Sequence, residues 1–413
     1  MKKNNKVDVI IPAYKAQHTI LRTLASIAEQ TILPDVDVTI VNDCCPNGDY
    51  HEIVEMYKPY MSIREITLKT NGGPGVARQY GIDNTENEFF TCIDADDTFC
   101  GSIALEILRE GIRTEPAVKC CSGTFYQLGE DLMHIVPHQQ DMVWMFGKIY
   151  RRDFIEQYKI HFNETRANED TGFNTWVRLL CDNNNEQIRF LNECVYYWHN
   201  KTDSITRIND GQYAHDQCFC GWTDNMIYAI QNVKKVRPFS GSVSQWIVSV
   251  MLNLYYYYIE TYARKNVFAK QNWEYIKKFY NTCYKRIEDD ISDEIFSEMY
   301  SMASMEKWRS GSLLGIIPHI GIKEFMEQLK SEVYDPDHIY DIWEEMYKDP
   351  ETRQLIKNNE TCGVCPVGYT KRPQDRVKVT PKSEEEDTED EEEEEKVISH
   401  SSFPKKKKKK NNQ

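Results

Sequence analysis

No stretch of this sequence is long and apolar enough to span a bilayer. Even the apolar run 243–259 is broken by Ser244, Gln245, Ser249 and Asn253, the polar face of a helix in water. No apolar signal segment follows Met1-Lys2-Lys3-Asn4, and the thirteen cysteines are scattered and odd in number, so the expectation is reduced thiols in a cytoplasmic protein. Positive charge is not in excess either. Up to residue 380, 42 Lys and Arg stand against 54 Asp and Glu, a net −12 that disfavours broad binding to a nucleic-acid backbone without excluding a local basic groove. Only Cys362 and Cys365 have zinc-ligand spacing, and no second pair accompanies them. After the first apolar run the chain reads Pro12-Ala13-Tyr14-Lys15-Ala16, not the long glycine-rich, Lys- or Arg-bearing phosphate loop expected of a sugar nucleotidyltransferase.

What is present is a folded chain of 413 residues, 40% hydrophobic and 28% charged, long enough for two domains and tails. The first hundred residues alternate short β-branched runs with helix-period stretches, which predicts an α/β nucleotide-binding type of sheet. Strands are expected at Val7–Ile11, Val36–Val41, Ile63–Leu68 and Phe89–Ile93, with a crossover helix over Thr19–Gln30. Further strands are expected at Ala117–Tyr126, Met142–Tyr150 and Gln187–Trp198, and a helix near Thr171–Cys181. From about residue 210 the pattern is helical, with stripes at Val243–Tyr262, Trp273–Ile287, Ile291–Trp308, Ile322–Leu329 and Ile339–Tyr347 whose aromatics read as core. Eleven acidic residues in 384–395 and six lysines at 405–410 read as a disordered tail. The expected organisation is a sheet domain over 1–210, a helical domain over 211–358 and a charged tail over 359–413.

Phe89-Phe90-Thr91-Cys92-Ile93 is a buried-strand pattern that stops at Asp94-Ala95-Asp96-Asp97. Carboxylates do not sit inside a sheet unpaired, and at a strand's carboxyl end they project into the ligand crevice, where Asp94 and Asp96 suit a hard cation such as Mg²⁺ or Mn²⁺. Taken alone, the cluster fits equally an Asp-rich turn capping a helix from Thr98. Two neighbouring strand ends carry Pro12-Ala13-Tyr14 and Val41-Asn42-Asp43; Tyr suits base stacking and Asp a base N–H, though packing and turn roles fit both residues. Asn71-Gly72-Gly73-Pro74-Gly75-Val76-Ala77-Arg78 precedes a helix and reads as a weak phosphate cradle.

The order of these four motifs resembles the family 2 glycosyltransferases of the GT-A fold. The likeness continues through Phe146-Gly147-Lys148-Ile149-Tyr150-Arg151-Arg152, Asn168-Glu169-Asp170, Val195-Tyr196-Tyr197-Trp198-His199 and Ser204-Ile205-Thr206, covering residues 5 to about 207. The resemblance implies that Tyr14 and Asp43 hold a nucleotide base, that Asp94 and Asp96 hold ribose and metal-bound diphosphate, and that Asp170, or failing it Glu169, is the general base. It further implies inverting transfer of a hexosyl or pentosyl group from a nucleotide-diphosphate sugar. Pro12, Ala13, Asn42, Asn71, Gly75, Arg78 and Ala95 complete the expected donor site. Two departures stand out: Asn42 replaces an Asp usual in the family, and His199 replaces an Arg common in relatives. A neutral imidazole there suits a metal ligand or a structural position equally. Acceptors consistent with this reading include a glycan, a lipid-linked sugar, a protein side chain or a modified nucleobase. A non-catalytic sugar-nucleotide-binding scaffold is the reading outside enzymology.

Overall fold

The computed structural model describes residues 4–46, 48–129, 135–181, 185–199, 219–237, 241–263, 269–309, 322–331 and 350. The Ser204-Ile205-Thr206 motif, the expected helix Ile339–Tyr347, the Cys362/Cys365 pair and the charged tail lie outside them.

Strands β1 (Val7–Ala13), β2 (Val36–Asn42), β3 (Ser62–Thr67) and β4 (Phe89–Cys92) form mostly where β-branched and aromatic residues concentrate. They lie parallel in the order β3-β2-β1-β4, connected by α1 (Ile20–Ala28), α2 (His51–Tyr57) and α3 (Pro74–Asp83). β2 and β4 flank β1 on opposite sides, so the winding reverses at β1 and a crevice opens at the strands' carboxyl ends. Every motif carrying an expected donor residue follows one of these strands.

The chain continues through β5 (Thr98–Phe99), α4 (Ala104–Arg113), β6 (Val118–Leu128), β7 (Ile135–His138), β8 (Lys148–Arg151), α5 (Arg152–Gln157), α6 (Glu169–Leu180) and β9 (Gln187–His199). The sheet extends beyond β4 in the order β8-β6-β9-β5, with β7 paired to β6; β8 is antiparallel to β4, and β9 parallel to β6. No helix begins at Thr98, because β5 pairs there with the end of β9.

The strand expected over Met142–Tyr150 is half wrong. Only its last residues join the sheet, as β8, and 142–147 is a loop of bends and turns with Met142, Met145 and Phe146 buried and Val143 exposed. The carboxylate of Asp141 accepts the backbone N–H groups of Val143 at 3.1 Å and Trp144 at 3.2 Å, which competes with ladder pairing. Gly147 then takes φ +61°, a left-handed conformation that ends the loop and starts β8.

Val7, Val9 and Ile11 of β1 pack with Ile20, Leu24 and Ile27 of α1 on one side of the sheet, while Ile10 joins the opposite core with Ala77 of α3 and Phe173 and Val177 of α6. This second core continues into the helical segment: α7 (Gly221–Val236), α8 (Gly241–Ala263), α9 (Ala269–Thr282), α10 (Asp293–Arg309) and α11 (Ile322–Ser331). Met226 and Ile230 of α7, Ile247, Met251 and Tyr255 of α8, Ile276 and Phe279 of α9 and Phe325 of α11 are buried in it. Tyr255, Tyr256, Tyr258, Trp273, Phe279 and Phe325 are core, as a 3.6-residue period implies. Among the described residues no helix is long and apolar enough to cross a membrane.

Candidate active site

The first strand ends are tied together by backbone and side-chain bonds. Asp43 N–H donates to Ala13 O at 3.0 Å, joining the end of β2 to the end of β1. Asp43 itself is buried, and its carboxylate accepts from Gly72 N at 2.7 Å, Gly73 N at 2.8 Å and Asn71 Nδ2 at 2.9 Å. Burial pushes its pKa up, and the two backbone N–H groups oppose that. Asp43 is thus the anchor of the glycine-rich loop. Asn42 is likewise engaged, donating to Glu65 Oε1 at 2.8 Å and accepting Cys45 N–H at 2.8 Å. Asn71 Oδ1 takes the guanidinium of Arg166 at 2.5 Å, a contact nothing in the local sequence announced. Pro12 and Ala13 form the end of β1, and beyond them Tyr14 keeps 45% of its surface exposed.

The second group centres on Arg78. Its guanidinium is buried and makes two ion pairs, Nη2 to Asp94 Oδ1 at 2.6 Å and Nη1 to Glu169 Oε1 at 2.7 Å. Burial disfavours the charge, but the two carboxylates outweigh it and hold Arg78 protonated. The expected phosphate contact is therefore a bridge between the end of β4 and the start of α6. A side chain at Gly75 would place Cβ 2.6 Å from Glu169 Cγ, so only glycine lets α3 approach α6 this closely. Gly75→Ala should separate the two helices and lower the melting temperature by several degrees, since overpacking of this kind costs roughly 1–3 kcal/mol; an unchanged melting curve would show that α3 and α6 yield freely.

Asp94, Asp96 and Asp97 do not all face the crevice. Asp97 is 1% exposed and accepts from Tyr196 Oη at 2.6 Å and from His199 N at 2.8 Å. Burial, aided by the charges of Asp94 and Asp96, pushes its pKa well up. Asp97 locks the β4–β5 loop to β9, Ala95 is buried beneath it, and Asp94 and Asp96 stay partly open. His199 Nε2 lies 3.0 Å from Thr98 Oγ1. Among the described residues no three His, Cys, Asp or Glu side chains form a metal-binding group, so His199 is not assembled with Asp94 and Asp96 as a third ligand. Asp94 and Asp96 offer hard carboxylate oxygens, the donor type that Mg²⁺ or Mn²⁺ takes, with one oxygen of Asp94 already held by Arg78.

Asp170 lies in the first turn of α6, after Asn168 in a left-handed conformation at φ +60°. Asp170 Oδ1 accepts its neighbour's backbone N–H, Thr171 N, at 2.7 Å. Burial first, and then the charge of Glu169, push its pKa from 3.8 to about 7, although Arg78 pulls the other way. The helix dipole also favours the carboxylate here, but an effect of about 0.3–1 kcal/mol is under one pKa unit and loses to burial. Asp170 is therefore a carboxylate whose hold on a proton is strengthened, while Glu169 is committed to Arg78.

A family model described as Glycosyl transferase family 2 matches residues 8–167, the span of these motifs. Residues 8–167 of the chain thus carry a glycosyl transferase family 2 segment. The chain is 25% identical over 225 residues to the uncharacterized glycosyltransferase EpsJ of Bacillus subtilis, covering 49% of this chain and 63% of EpsJ. It is 34% identical over 94 residues to the poly(ribitol-phosphate) beta-N-acetylglucosaminyltransferase TarS of Staphylococcus aureus, covering 22% of this chain and 16% of TarS. The chain thus spans less than two thirds of the length of either relative. The crystal structure of S. aureus TarS 1–349 in complex with UDP-GlcNAc superposes with a TM-score of 0.56 at 17% identity, over 74% of this chain and 92% of that one, which places the fold as the GT-A type.

Proposed function

We propose that this protein is an inverting glycosyltransferase that moves a sugar from a nucleoside-diphosphate sugar to an acceptor hydroxyl, with Asp170 as general base. The observation that carries it is the bracket Asp94–Arg78–Glu169–Asp170: one buried guanidinium ties the strand-end carboxylate Asp94 to the first turn of the helix that bears Asp170. The family match over residues 8–167 and the UDP-GlcNAc complex of TarS support a nucleotide-sugar donor.

In this reading Tyr14, open at the end of β1, stacks on the base, and the loop pinned by Asp43 borders the nucleotide. Asp94 and Asp96 would hold a divalent Mg²⁺ or Mn²⁺, whose charge offsets that of the leaving diphosphate. Asp170 takes the proton of the acceptor hydroxyl as its oxygen bonds to the anomeric carbon. The carbon–oxygen bond to the diphosphate breaks on the opposite face, so configuration inverts.

The test is thermal stabilisation by UDP, UDP-GlcNAc, UDP-glucose, UDP-galactose and GDP-mannose, with Mn²⁺, with Mg²⁺ and in EDTA. At least one nucleotide sugar should stabilise the protein with metal, by about 2.7 kcal/mol at a hundredfold excess over its dissociation constant. Asp96→Asn should abolish the metal-dependent part. Equal stabilisation in EDTA would remove the metal from the mechanism, and no response to any of these donors would count against this donor reading.

A further inference from the structure

The family match ends at residue 167, and α7 lies beyond it. The buried side chains of α7 include Met226, Ile230 and Val233, and among them stands Asn225 with no exposed surface. A buried amide is costly unless its hydrogens find acceptors. Asn225 Nδ2 donates to Gly221 O one turn back at 2.8 Å, and also to Thr165 Oγ1 at 2.8 Å and Ala167 O at 3.4 Å. Those last two acceptors belong to the loop that leads into α6.

That loop ends at Asn168, whose left-handed φ of +60° turns the chain into Glu169 and Asp170. Beyond Asp170, Gly172 N–H closes the first turn of α6 on Asn168 O at 3.1 Å. A Cβ at Gly172 would lie 2.7 Å from Asn225 Oδ1, so α7 packs closely against α6 at this point. Asn225 therefore meets the chain on both sides of Asp170, by hydrogen bonds before it and by close packing after it. Between Thr165 and Ala167, Arg166 reaches the other way and donates to Asn71 Oδ1 at 2.5 Å and Asn71 O at 3.3 Å. The loop is thus strapped between the helical segment and the glycine-rich loop.

We infer that Asn225 is a positioning residue for Asp170, through which the helical segment completes the active site; this rests on the glycosyl-transfer reading. Its amide fixes where α6 begins, and with it the approach of Asp170 to the acceptor oxygen. A displacement of about 1 Å at a reacting group can cost about a hundredfold in rate. Asp43 holds the glycine-rich loop by bonds of its own, so donor binding does not depend on Asn225.

Two measurements on the full chain test this. In hydrogen exchange, Asn225→Ala should speed the amides of 165–172 about tenfold, as expected for the net loss of one hydrogen bond, and leave those of β1 and β2 unchanged. The second measurement is hydrolysis, with water as acceptor, of the nucleotide sugar that stabilises the protein, followed as release of the nucleoside diphosphate in Mn²⁺. Its kcat should fall about 10–100-fold, with KM within about threefold. Thr165→Val removes one acceptor from the loop and leaves the α7 core intact, so it decides the matter should Asn225→Ala not fold. It should move both readouts at least about threefold, and Thr165→Ser, which retains Oγ, should restore them. Faster exchange with kcat within about twofold would make Asn225 structural only, and unchanged exchange would mean that the loop stands without it; either result overturns the proposal. Failure of the glycosyl-transfer reading shows separately, as no response of the unsubstituted protein to any nucleotide sugar.

Discussion

Asp170→Asn is expected to lower sugar transfer by about 10²–10⁴-fold, the usual contribution of general-base catalysis, with nucleotide-sugar affinity nearly unchanged. Asn keeps the shape and still accepts the Thr171 N–H, so what is lost is the proton acceptor alone. The pH profile carries a second signature. With a pKa of about 7, Asp170 is largely protonated at pH 6, so kcat/KM should rise with pH through neutrality, and that limb should vanish in the variant.

Stability should run the other way. A carboxyl whose folded pKa is raised from 3.8 to about 7 contributes stability below its unfolded value that is lost as pH rises through the folded one. Asp170→Asn should therefore melt higher than the unsubstituted protein at pH 8, with the gap shrinking toward pH 4. Turnover within threefold of the unsubstituted protein in the variant, measured on the same preparation as donor affinity, would transfer the role of base to another group.

Arg78→Met is expected to be the most destabilising single change at this site. Removing the guanidinium leaves Glu169, itself 4% exposed, beside Asp94 with no counter-charge. Breaking a buried pair by removing one partner costs about 3–5 kcal/mol, roughly 10 °C in melting temperature for a domain of this size. Arg78→Lys should recover only part of this, since an ammonium cannot present two N–H groups in a planar fork to two separate carboxylates. The sign with pH distinguishes charge from packing. Glu169 already has its pKa raised by burial, with Arg78 pulling it down, so the variant raises it further. Its stability deficit should be largest above neutrality and shrink as pH falls toward 4.5, the ordinary value at which the unfolded carboxyl protonates. A pH-independent deficit would mean that Arg78 acts through packing, and an undiminished melting temperature would mean that the bridge is dispensable.

Local pattern was enough to reveal the strands around Val7, Val36, Ile63 and Phe89, because β-branched runs bounded by helix-period segments specify a parallel sheet within a short window. It also placed the carboxylates after Phe89–Ile93 at the end of a buried strand, where charge has to emerge at the sheet's edge, but taken alone it left a ligand site and an Asp-rich turn equally open. The long helical stripes were readable for the same reason.

What local pattern did not contain is the direction and partner of each polar side chain. Asp94, Asp96 and Asp97 are equivalent in sequence, yet Asp97 turns inward because Tyr196 and His199, about a hundred positions later, meet it there. Arg78 looks like a phosphate ligand beside glycines and becomes an ion-pair bridge because Glu169, 91 residues on, is brought against Gly75. The run 142–147 has strand-like composition, but Asp141 and Asn174 take its backbone groups before the sheet can. Periodicity determined which face of each element is buried, a property of neighbours three or four positions apart. Partnership among residues separated by about 30 to 100 positions was decided only when two cores closed around the sheet and left each buried charge to find its counter-charge or hydrogen bond within reach.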